Sequence, residues 1–199
     1  AQVRRSEATL EERSEAFRRG RDRLFRHHAQ SALSRAQKAR FEGLPYYAYD
    51  PSWRFELAID TDVEPEVTEV RLKDDGPIRM RRFGKVHFRH ADRDLSLSLF
   101  WIMGYGGGVF LPFGDLTNGD TTYGGGRYVL DTIKHADLGQ RERRLVVDFN
   151  YAYNPSCAYN PRWHCPLAPQ ENQLPVAVRA GEQRYPDPGH LEDGPSGSG

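Results

Sequence analysis

The chain has 199 residues, enough for one domain with a helical appendage, and its 38% hydrophobic, 28% charged composition is that of an aromatic-rich globular protein rather than a disordered one. Lysine plus arginine (28) balance aspartate plus glutamate (28), which removes the global electrostatic case for a nucleic-acid partner. No apolar run nears the ~20 residues of a membrane span, and two cysteines are too few for a disulfide-rich scaffold or a four-cysteine zinc site.

Residues 1–42 form a basic, helical arm with eleven Lys/Arg against six Asp/Glu. Ser6 with Thr9 or Glu11 marks a helix start. Leu10, Phe17, Leu24 and Phe25 recur at about seven residues and predict one apolar stripe. Gly20 is expected to split the helix in two, and a second short helix is expected over about Ser31–Phe41, stopping at Gly43. The arm is either a protein- or phosphate-binding surface or a solvated amphipathic helix clamped to the body by Leu10, Phe17 and Leu24. Glutamates next to the arginines favour the second reading.

Residues 43–182 are β-rich. Trp53, Phe55, Leu57 and Ile59 alternate with polar neighbours, as do Leu95, Leu97, Leu99 and Trp101. Further strands are expected over 67–73, 78–88, 108–113, 123–132, 143–150 and 174–180, separated by turn residues. About eight short strands without interleaved helices predict a mainly β fold, an antiparallel sandwich or partly open barrel with one or two N-terminal helices. Residues 183–199 are rich in Pro, Gly and acid and read as a disordered tail. Residue 1 is Ala, so a removed signal peptide leaves a periplasmic or secreted chain open beside the cytoplasmic reading.

Standard motifs are absent. Gly104–Val109 fails the dinucleotide fingerprint, because Val109 stands where the third glycine belongs. There is no phosphate-binding loop, nucleophile elbow or His-Glu-x-x-His. His87 and His90 would point to opposite faces of a strand.

The unusual residues fall in two blocks, 110–128 and 147–175. In the second, the polar pair Asp148 and Asn150 leads into Tyr151-Ala152-Tyr153-Asn154-Pro155. This is either a polar pocket floor, with Asp148 as acid/base or metal ligand and Asn150 and Asn154 as orienting donors, or a set of side-chain caps on a turn. In the first block, glycines at 124–126 allow close backbone approach, and Arg127 is suited to a two-pronged grip on a carboxylate or phosphate. The alternative is a bulge with Arg127 paired internally to Asp115 or Asp148. Cys157 and Cys165 fit a disulfide or close thiol pair best, then a metal site with His164 and Asp148, then a nucleophile.

These blocks carry a resemblance. Phe113-Gly114-Asp115-Leu116-Thr117-Asn118-Gly119, Thr122–Tyr128, Asp148–Tyr159, Cys165-Pro166-Leu167 and Glu171–Val176 resemble, in order, a bacterial domain-of-unknown-function family, number 1684. The likeness spans about residues 15–182. It implies one recurring unit with no known activity, and it lowers the weight of His164, which falls in a variable slot of the pattern.

The leading functional expectation is a pocket for a small polar ligand, lined by Asp115, Tyr123, Arg127, Asp148, Asn150, Tyr153 and Asn154. In a hydrolytic version Asp148 or Asp115 is the general base, with Arg127 and the Asn amides stabilising negative charge. One alternative is a non-catalytic structural or interaction module in which the same side chains are spent on each other. Another is a metal protein built on the Cys pair. No cofactor is named by the sequence.

Overall fold

The computed structural model describes residues 8–72, 76–103, 108–132 and 138–187. The expectations placed on residues 1–7, on Gly104–Gly107, on the turns at 73–75 and 133–137, and on the tail beyond 187 lie outside the described residues.

Helix α1 spans Leu10–His27. Thr9 caps it through a reciprocal box with Glu12, and acidic residues open it while basic residues close it, as the helix dipole favours. Gly20 does not interrupt it, because its neighbours all continue the helical hydrogen bonding. Leu10 and Leu24 remain 41% and 49% exposed, so the expected clamp through them is not made. The docking face runs instead through Ser14, Phe17, Arg21 and Phe25, spaced three or four apart. Phe17 meets the Tyr151 ring at 5.0 Å and Phe25 meets Tyr159 at 4.7 Å. Helix α2 is only Arg35–Ala39, capped by Ser34 and Gln37. The buried Gln37 amide donates to the carbonyls of Tyr159 and Asp187, tying the turn of chain after α1 to the end of the described chain.

Among the described residues nine strands follow: β1 (Arg54–Leu57), β2 (Ile59–Asp60), β3 (Val67–Leu72), β4 (Gly76–His90), β5 (Arg93–Met103), β6 (Gly108–Phe113), β7 (Arg127–Asp131), β8 (Gln140–Arg141) and β9 (Arg144–Asp148). They form a six-stranded sheet, β2-β4-β5-β6-β7 with β3 also on β4, and a three-stranded sheet, β1-β9-β8. All strand pairs are antiparallel. Neither sheet closes into a barrel, which fits the expected sandwich or partly open barrel. Leu57, Leu145 and Val147 from the small sheet pack with Val86, Phe88, Leu95, Leu97, Leu99, Leu111 and Phe113 from the large one, around Phe149. The alternation read in the sequence is what builds this layer.

Two expected strands change. Residues 123–126 form a turn, leaving β7 to begin at Arg127; Gly126 has φ +85°, and a Cβ there would stand 2.6 Å from the Phe113 carbonyl oxygen. Residues 174–180 form no strand. Their alternation is real, with Leu174, Val178 and Ala180 buried; Leu174 and Val176 bond the main chain at Gly114 and Leu116, and the groups at 178 and 180 bond a side-chain pair.

Candidate functional site

That side-chain pair is Arg127 and Asp115, both completely shielded from solvent, with Nη2 and Oδ2 2.9 Å apart. Arg127 also donates to the carbonyls of Val178, Ala180 and Glu182. The other Asp115 oxygen accepts from the Thr117 amide and hydroxyl and from the Val178 amide. Every strong donor and acceptor of this ion pair except Arg127 Nε has a protein partner, so the pair holds three chain segments together.

Asp148 and Asn150 sit where β9 turns into a short 3₁₀ segment, Phe149–Tyr151. Asp148 Oδ1 accepts from the Asn150 amide and side chain, at 3.0 and 2.8 Å. Asn150 in turn bonds both the N–H and the C=O of Asp50. Asn150 is thereby consumed as a backbone clamp. Asp148 is not: its Oδ2 is buried without a hydrogen-bond partner among the described residues. Burial pushes its carboxyl above the ordinary range, against the pull of Asn150 and Arg54.

Tyr153 and Asn154 lie elsewhere, on a cleft of ≈ 440 Å³ between α1 and the loop 153–159. Phe17, Leu24, Phe25 and Pro155 form its apolar walls. Arg21 lines it as well. This guanidinium donates to the hydroxyls of Tyr46 and Tyr159 and to Glu182, and it stacks over the Tyr153 ring at 4.9 Å. Glu182 is fully buried, also accepts from the Tyr159 hydroxyl and the Asn154 amide, and is pushed up by burial against the pull of Arg21. Asn154 spends its amide on the Gln183 carbonyl, but its Oδ1 has no partner among the described residues.

Cys157 and Cys165 are not joined by a disulfide. A hydrogen bond with Cys165, reinforced by burial, holds the Cys157 thiol well above its usual value, and the Tyr123 hydroxyl donates to Cys157 at 3.5 Å. Among the described residues no three His, Cys, Asp or Glu side chains gather as metal ligands.

The nine sequence-derived residues therefore fall into four places: the Arg127–Asp115 tie, the Asp148–Asn150 corner, the cleft with Tyr153 and Asn154, and the thiol pair with Tyr123. Arg21, Glu182 and Tyr159 were missed. Arg21 carried a signal, since it stands four residues from both Phe17 and Phe25 on the docking stripe. Glu182 closes the segment that reads as β-rich, and nothing local marks it as buried.

Comparison with known proteins places this architecture. A family described as a protein of unknown function, DUF1684, matches residues 39–183. The chain belongs to this family. Its fold is similar to the solution NMR structure of an uncharacterized protein from Haloarcula marismortui, with 32% identity, a TM-score of 0.61, and coverage of 85% of this chain and 91% of that one. A search of curated proteins found no match. The DUF1684 segment contains the thiol pair, the Arg127–Asp115 tie, Asp148 and Glu182, whereas Arg21 precedes it.

Proposed function

We propose that the protein binds a small polar ligand with an apolar body in the cleft between α1 and residues 153–159. One observation carries this reading. Arg21, an otherwise buried cation, is held rigidly by Glu182 and two tyrosines, yet its Nη1 makes no hydrogen bond among the described residues, and it stands on an aromatic-walled cleft. Guanidinium N–H groups left unspent beside aromatic rings suit a carboxylate or phosphate borne on an aromatic or aliphatic body. The reading is binding rather than hydrolysis. The carboxylate beside Arg21, Glu182, is fully buried and already accepts three hydrogen bonds, so it offers no base to a water.

Phenylacetate is a suitable probe, titrated into ¹⁵N-labelled protein. Saturable shifts of the Arg21, Tyr153 and Asn154 amides are expected, and Leu24→Trp, which fills the cleft from its exposed rim without touching the Arg21 network, should abolish them. Shifts that persist in Leu24→Trp, or that never saturate, would refute the assignment.

The alternative of a structural or interaction module is supported by the Arg127–Asp115 and Asn150 bonding, in which candidate site residues are spent on the chain itself.

A further inference from the structure

We propose a second ligand site, independent of the first, under the opening turns of α1: a binding place for a phosphate-type oxyanion, walled by Arg13, Arg54 and Arg141 and floored by Asp148. These residues line one small cleft of ≈ 70 Å³ together with Leu10, Leu138, Val146 and Tyr151. That volume admits a single tetrahedral oxyanion and little else.

The strand register builds the floor. Pairing of β1 with β9 sets Arg54 directly opposite Asp148. Arg54 Nε stands 4.0 Å from Asp148 Oδ2, too far for a hydrogen bond, because the guanidinium leans to Glu56 at 2.8 Å. Asp148 Oδ2 is thus left without a partner in a residue that is 1% exposed, and the Tyr49 hydroxyl is likewise buried without one. Asp148 is the strongest charged influence on Tyr49. A buried carboxyl oxygen left unspent calls for a partner.

The charge around the corner selects the sign of that group. Arg13 bonds only the Ala8 carbonyl and has no acidic partner among the described residues. Arg141 is two-thirds exposed and shares the single carboxylate of Glu56 with Arg54. Glu12 is committed to the Thr9 cap. A cation would meet three guanidinium groups, whereas an oxyanion meets their planar donor forks. Burial pushes the Asp148 carboxyl toward its neutral form, which lessens its repulsion of an anion.

The test is inorganic phosphate titrated at constant ionic strength against a chloride control, followed by the amide shifts of Leu10, Arg13, Arg54 and Tyr151. Saturable shifts absent with chloride are expected, with affinity reduced about tenfold or more in the double variant Arg13→Gln/Arg141→Gln. Both arginines lie at the rim, so the melting temperature of that variant should stay near wild type. Glycerol phosphate binding more tightly than phosphate would identify the oxyanion as the head of a larger molecule; equal binding would identify the free ion. Shifts reproduced by chloride, or unchanged affinity in the double variant, would overturn the proposal. Leu24→Trp should leave phosphate binding intact, which separates this site from the aromatic cleft.

Discussion

At Arg127 a single side chain replaces a strand pairing. Its guanidinium satisfies carbonyls at 178, 180 and 182 and neutralises Asp115 where both side chains are shielded from solvent. Arg127→Lys keeps the charge but loses the fork, leaving several carbonyls and part of a carboxylate unpaired. Guanidinium chloride denaturation should show a loss of about 3 kcal/mol or more. Asp148 is perturbed in the opposite sense from a salt-bridged acid. Its carboxyl lies above the unfolded value, so the folded chain retains a proton that the unfolded chain has released. The stability this gives is full below the unfolded pKa and is lost as pH rises through the folded one. Asp148→Asn, neutral throughout, should therefore gain on wild type in urea midpoint as pH rises from about 4 to 7. No gain across that range would show that Asp148 is ionised in the fold. The Cys157 thiol, held up by Cys165 and burial, should alkylate with iodoacetamide more slowly in the native protein than in urea-unfolded chain. The Arg127–Asp115 pair was legible in the sequence as one of two stated partnerships. The Asp50–Asn150 clamp was not, since 100 residues separate two ordinary turn formers.

Among the elements, α1 departs most from its sequence. Its charged character, its cap near Thr9 and the docking of Phe17 and Phe25 were readable, but Leu10 and Leu24 misdirect, because a long charged side chain can bury its stem as well as a leucine does. Arg21 is the buried anchor, and it docks the helix on Glu182 and on tyrosine hydroxyls. Glu182→Gln should accordingly raise hydrogen exchange across residues 10–27 while β4 and β5 remain protected. Uniform acceleration in helix and sheet alike would mean that the contact serves the whole fold instead. The strands over 54–57 and 95–99 were legible because Leu57 and Leu95, Leu97 and Leu99 alternate into the core, but Trp101, read with them, is exposed, while Phe100 is buried on the other face. The segment 174–180 has the same alternation and is not a strand, since periodicity records which side chains are buried and says nothing of where the backbone bonds.

For the molecule as a whole, the sheets share one core and the polar ties run at its margins. Gly181 is such a tie. It has φ +79°, its carbonyl accepts from the Tyr47 amide, and a Cβ there would lie 2.5 Å from the Phe149 carbonyl oxygen. The same few residues bring Glu182 to Arg21 and the 182 carbonyl to Arg127. These long-range closures also order the making of the protein. On a ribosome Arg127 is synthesised 51 to 55 residues before the carbonyls that receive it. Both sheets are complete in sequence by residue 148, yet the cation at their margin has only Asp115 for company until the chain past 182 has left the exit tunnel. The nascent chain therefore carries an unfinished, charged seam until residues 178–182 emerge, and native closure waits for that segment.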